Sequence, residues 1–162
     1  MNIQYIAFTE QEELKRSYQI KDNDKEIGSV EGYLIEYGVL VTVVKIFNPN
    51  YKKKGLGFAA FKKVFDELNG FISIKRIRGC WCSGGEFQDF ENGMSTNLKV
   101  FTENLENGKD EQDCAFLTPT GKWAKKLGYS KCNIMSKSIS EVTVDFENDN
   151  NRQQKHPDTM CG

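Results

Sequence analysis

The sequence predicts an α+β fold, and three observations carry that prediction. Four β-rich segments precede the first stretch with helical periodicity, two amphipathic stretches then follow with a further strand before them, and two short strands close the patterned part of the chain. The length permits it, since 162 residues with 38% hydrophobic and 12% aromatic content suffice for one domain with a core. We therefore expect a single domain over 1–147 and a polar, disordered tail over 148–162, where "ENDNNRQQKHPDTMCG" has almost no apolar content.

Taken in order, "IQYIAF" at 3–8 reads as a short strand, and "KRSYQIKDNDKEIGSVEGYLIEYG" as two strands around a polar "KDNDK" turn. Gly38 separates these from "VLVTVVKIF" at 39–47, the most β-branched segment and the expected central strand. The first helix starts after Gly55, with Phe61, Val64, Phe65 and Leu68 at i, i+3, i+4, i+7 and with Lys62–Asp66 and Lys63–Glu67 as i, i+4 ion pairs on the other side. Asn69-Gly70 stops it. A strand is expected over 71–82, a short helix near 96–106, and a break at "NGKDEQD". Thr118 as N-cap, Pro119 at the first helical position and Gly128 as the stop define a last helix, before strands near 129–135 and 141–146.

Charge argues against two partner classes. With 22 basic and 23 acidic residues the net charge is −1, so no global field marks the chain as a binder of nucleic acid or of membrane surfaces. No run of about eighteen apolar residues occurs, and the N-terminal stretch lacks a basic segment leading into an apolar one, so a soluble, cytoplasmic location is expected. The five cysteines, Cys80, Cys82, Cys114, Cys132 and Cys161, are odd in number and irregularly spaced, which favours free thiols in a reducing compartment. Zinc is disfavoured as well: Cys80 and Cys82 form only a C-x-C, and the sole histidine, His156, lies in the tail.

The chemistry-bearing stretch is "NPNYKKKGLGFAAFKKVFDEL" at 48–68, where three lysines run into Gly-x-Gly at a helix start. A strand followed by a glycine turn and a helix binds phosphate, because the first N–H groups of a helix have no intrahelical partner and face the ligand with the positive end of the dipole. A P-loop is excluded, since Phe-Ala-Ala follows Gly57 where Lys-Ser/Thr would be needed. Gly55-x-Gly57-x-x-Ala60 fits the dinucleotide fingerprint, but Asn48 to Lys54 intervene between strand and glycine.

The third device fits. Pro49, Tyr51, Lys52, Lys54, Gly55 and Gly57 stand at the places of P-x-Y-[RK]-x-[RK]-G-x-G, and Lys126-Leu127-Gly128-Tyr129 precedes a late strand. In both motifs, and in the order of elements over 30–146, the chain resembles the GNAT N-acetyltransferases; its N-terminal part has little room for that family's first two helices. The resemblance implies a mixed, mostly antiparallel sheet of about seven strands with helices on both faces. It implies an acetyl-CoA co-substrate held at Ile46, Phe47, Lys52, Lys53, Lys54, Gly55, Leu56 and Gly57, and an amine acceptor, either a small molecule or a protein or peptide. The reaction implied is direct attack of the amine on the thioester.

A lysine-like acceptor of pKa about 10.4 must lose a proton, at a cost of about 4.6 kcal/mol at pH 7, so a base is useful. The central strand has no carboxylate. Glu36, read on the preceding strand, and Glu86 are therefore the candidate catalytic residues, with Cys82 behind them. The tyrosine that many family members carry three residues before the leucine of the late motif is Ala124 here. That departure leaves open a second expectation, a CoA-binding domain of weak or no activity that works through protein contacts.

Overall fold

The computed structural model describes residues 1–8, 10, 12–47, 49–52, 54–84 and 94–148. Lys53, Glu86 and the tail beyond Asn148 lie outside the described residues. Two compact units are formed, Met1–Lys75 and Arg76–Gly162. Seven strands and five α-helical segments occur among the described residues, and every strand pairing within each unit is antiparallel. The fold class is α+β, as the sequence leads one to expect.

In the first unit, β1 (Ile3–Ala7), β2 (Lys15–Asp22), β3 (Lys25–Ile35) and β4 (Val39–Ile46) pair in that order. The turn at 23–24 is entered through Asn23 at φ 56°, a conformation that asparagine tolerates better than most residues. Along β3, Val30, Gly32 and Leu34 face helix α1 (Leu56–Glu67), while Glu31, Tyr33 and Ile35 point the other way. The helix lies close over Gly32, where a Cβ would lie 2.4 Å from Val64 Cγ1. Phe61, Val64, Phe65 and Leu68 are buried with Ile20, Val30 and Leu40. Burial of each large apolar side chain contributes about 1.5–3 kcal/mol, and this stripe holds α1 on the strands.

The opposite side of α1 carries the expected pairs, Lys62–Asp66 at 2.6 Å and Lys63–Glu67 at 2.8 Å. Glu67 also accepts from Arg16 Nε and from the Tyr18 hydroxyl, which ties the helix to β2. Lys63 Nζ sits 5.0 Å from the Tyr18 ring centroid and 5.2 Å from that of Tyr5.

The start of the strand expected over 71–82 is corrected. Asn69, at φ 74°, starts another helical turn, α2 (Gly70–Ser73), and the Ile74 N–H donates to the Gly70 carbonyl at 2.8 Å. This turn buries Ile74 and leaves Phe71 and Ile72 exposed, which strand pairing of those residues would not do.

In the second unit, β5 (Arg76–Cys82) and β6 (Lys131–Lys137) flank β7 (Glu141–Glu147). One sheet face is apolar: Ile77, Trp81, Val142, Val144 and Phe146 are buried, and Trp81 and Phe146 contact Phe101 and Phe116. Phe101 lies on α3 (Thr96–Glu106) and Phe116 on α4 (Glu111–Leu117), which is followed by α5 (Pro119–Lys126). The other face carries ionic pairs: Arg78 donates to Asp145 through Nε at 2.6 Å and Nη2 at 2.9 Å, and Arg76 Nε lies 2.9 Å from Glu147.

The break expected at "NGKDEQD" occurs, since α3 ends at Glu106, but a helix that the sequence reading does not include, α4, starts within the same stretch at Glu111. Asp110 accepts the Asp113 N–H at 2.9 Å, and Glu111 and Asp113 lie at the positive end of the helix dipole. The same acids that read as a loop act as a helix start. Thr118 and Pro119 start α5 as expected, with Thr118 accepting the Gly121 N–H at 3.0 Å.

Candidate functional site

The site is built where β4 ends. Ile46 pairs with Gly28, and the Phe47 N–H donates to the Ile27 carbonyl at 2.8 Å, so the strand is held up to the point where the chain leaves the sheet. A single 3-10 turn follows over Pro49–Tyr51, and the Lys52 N–H donates to the Pro49 carbonyl at 3.2 Å. Lys52 and Lys54 are exposed.

Gly55 then takes φ 78°, ψ 4°, and α1 begins. A Cβ added there meets nothing within 4 Å. Glycine is therefore required by the left-handed backbone and not by crowding, and the space above the helix start is open. The first intrahelical hydrogen bond runs from the Ala59 N–H to the Gly55 carbonyl at 3.0 Å, so the Leu56 and Gly57 amides precede the helical ladder. Among the described residues no side chain caps this end. Helices α3, α4 and α5 are capped by Ser95, Asp110 and Thr118 respectively. An uncapped N-terminus behind a basic loop has the donors and the field to hold an anion.

The loop is tied down at its middle. The Tyr51 hydroxyl donates to Asp22 Oδ2 at 2.7 Å, and Asp22 Oδ1 accepts the Asn2 N–H at 2.8 Å. These two bonds, that from Tyr51 first, hold the Asp22 carboxyl below its ordinary range, and the bond to Asp22 raises the Tyr51 phenol. Sequence reading placed Tyr51 in the motif but gave it no partner. The one available signal was a turn rich in acids, without distances to connect it to the loop.

The candidate catalytic residues fare differently. Glu36 is not on a strand: β3 ends at Ile35, and Glu36 opens a 3-10 turn, Glu36–Gly38, in which Tyr37 has φ 64° and Gly38 φ 73°. Two successive left-handed residues reverse the chain and carry Glu36, exposed, to the end of the hairpin opposite the loop. The strand between them, Val39–Ile46, spans about 23 Å. Glu86 lies outside the described residues. Cys82 ends β5, half-buried. Ala124 is fully buried on α5, so a tyrosine there would have to enter the core of its unit. Tyr129 is also fully buried, and burial pushes its phenol up to about 12.

A carboxylate that sequence reading passed over is Glu31, directly opposite Val43 of β4. It accepts from the Tyr33 hydroxyl at 2.9 Å and from Ser17 Oγ at 3.4 Å. Strand alternation places it on the face away from α1, three residues, or about 10 Å, along the register from the Ile46 level. Among the described residues no three His, Cys, Asp or Glu side chains gather as a metal site. No helix among them is long and apolar enough to cross a membrane.

No family model and no curated protein sequence matches the chain. Among solved structures it is similar to an acetyltransferase from Thermus thermophilus, with 10% identity, TM-score 0.42 and coverage of 82% of this chain and 62% of that one. It is similar to an acetyltransferase of the GNAT family from Streptococcus pneumoniae, with 11% identity, TM-score 0.47 and coverage of 85% and 69%. A third is the PaiA N-acetyltransferase from Thermoplasma acidophilum in complex with coenzyme A, with 11% identity, TM-score 0.44 and coverage of 83% and 61%. The chain thus spans less than two thirds of the first and third of these proteins. All three are acetyltransferases, and the second is named for the family that the motif at 49–57 resembles.

Proposed function

We propose that the chain is an acetyl-CoA-dependent N-acyltransferase. The observation that carries this reading is the start of α1: left-handed Gly55 with open space above it, no side-chain cap, and a basic loop leading in from β4. The amides of Lys52, Lys53, Lys54, Gly55, Leu56 and Gly57 take the pyrophosphate, and the pantetheine arm runs past Phe47 and Ile46 along β4. The lysines add long-range attraction that salt weakens. The amine lone pair attacks the thioester carbonyl carbon, a tetrahedral intermediate forms, and the C–S bond breaks. The thiolate is a tolerable leaving group near neutral pH, judged by an ordinary thiol pKa of about 8.5.

The acceptor amine must arrive neutral, and a carboxylate that takes its proton directly or through water lowers that cost. Glu31 suits this role better than Glu36 because it lies nearer the loop end of β4. Glu86 stays in the same role as a further proposal. A second reading, a CoA-binding domain without turnover, is favoured by one observation: Ala124, at the place of the usual acid, is buried.

Labelled acetyl-CoA offered with a panel of amines, peptides and cell lysate separates the two readings. Transfer of label to an amine, dependent on Gly55, is the expected result. CoA binding without transfer to any acceptor supports the second reading, and absence of CoA binding rejects both.

A further inference from the structure

We propose that Tyr51 and Asp22 are positioning residues for the CoA loop, an inference that rests on the reading above. The loop between β4 and α1 carries three adjacent lysines that repel one another; the Phe47 N–H bonds to Ile27 at one end and the Lys52 N–H to Pro49 within the turn. A loop ordered only when ligand arrives pays the ordering entropy out of binding. The Tyr51 hydroxyl removes part of that cost by gripping Asp22 at 2.7 Å, on a hairpin far away in sequence.

That hairpin makes a firm anchor. The Asn2 N–H donates to Asp22, the Asn23 N–H donates to the Asn2 carbonyl at 3.0 Å, and Asn2 Nδ2 reaches Asn23 Oδ1 at 3.3 Å. Lys25, from the same hairpin, sits with its ammonium 6.0 Å from the Tyr51 ring centroid. Residues 2, 22 and 51 thus form a clasp that fixes the turn from which the amides of 52–57 are presented. Neither Asp22 nor Tyr51 touches the reacting atoms.

The test is a double-mutant cycle read as CoA affinity, with the melting temperature of the free protein recorded alongside. Tyr51→Phe and Asp22→Ala each weaken CoA binding roughly three- to tenfold, while the double variant is no weaker than the poorer single. Asp22→Asn, which keeps an acceptor for the hydroxyl, retains most of the affinity. The free proteins melt close to wild type, because the bond lies at a partly exposed surface. Unchanged affinity in either single variant, or losses that multiply in the double, overturns the clasp. A wild-type chain that does not bind CoA at all rejects the function proposed above, a result distinct from both.

Discussion

Replacing Gly57 by aspartate should separate the stability of the free protein from its capacity to hold a phosphate. Gly57 is the second residue of α1, whose first turn holds no acid and whose end has no side-chain cap. An acid there completes the dipole interaction for about 0.3–1 kcal/mol and replaces glycine, the poorest ordinary helix former. For a chain of this size that is a rise in melting temperature of up to about 4 °C. On the proposed function the same carboxylate stands where the pyrophosphate approaches, and like charge there excludes it. Wild-type protein at about 100 times the dissociation constant gains about 2.7 kcal/mol from CoA, or about 5–11 °C. Thermal melts of both proteins with and without CoA are the assay. The account expects a free variant at least as stable as wild type that CoA no longer protects. Undiminished protection by CoA in the variant would refute the assignment of this helix start to the pyrophosphate.

Three further outcomes follow from particular side chains. Glu31→Gln should lower the acyl-transfer rate roughly 100-fold at neutral pH, less at high pH where the amine is already neutral, with CoA affinity kept; Glu36→Gln, altered at the far hairpin end, should act weakly, and the reverse ranking in pH–rate profiles removes Glu31. Arg78→Met removes both hydrogen bonds to Asp145, which is 0% exposed and keeps the Arg76 guanidinium at 3.9 Å, and should cost about 3 kcal/mol in urea unfolding, whereas a loss under about 1 kcal/mol would mean that the pair is not buried as described. Burial pushes the Tyr129 phenol up to about 12 from an ordinary 10, so the folded state binds more protons between those values and stability falls as pH rises through them, by up to about 3 kcal/mol; Tyr129→Phe should flatten that slope, and an equally steep alkaline loss in the variant assigns it elsewhere.

The parts of this fold that are legible in the sequence are those where one local signal acts without competition. Helix α1 announced itself through Phe61, Val64, Phe65 and Leu68, and α5 through Thr118 and Pro119, because periodicity and capping are read within a few residues. The start of α4 is not legible in "NGKDEQD" because an acid such as Asp110 serves a loop or an N-cap equally well, and only the hydrogen bond to the Asp113 N–H distinguishes them. Glu36 reads as a strand residue because β-branched and aromatic neighbours favour a strand, whereas the tight reversal at Tyr37 and Gly38 ends β3 before it. The loop was legible as a motif, but its tether was not, since nothing local links Tyr51 to a residue 29 positions earlier. Glu31 was missed for a related reason: a carboxylate on a strand gains meaning only from the strand beside it, here at Val43.

The central claim concerns backbone amides, so its most direct test observes them. Titrating CoA into the isotope-labelled chain and following amide resonances by NMR should move the signals of Lys52, Lys54, Gly55, Leu56 and Gly57 most, with smaller changes at Ile46 and Phe47. Saturating shifts concentrated there are the predicted result. CoA binding that leaves those amides unmoved while shifting others, or no shift at any amide, would contradict it.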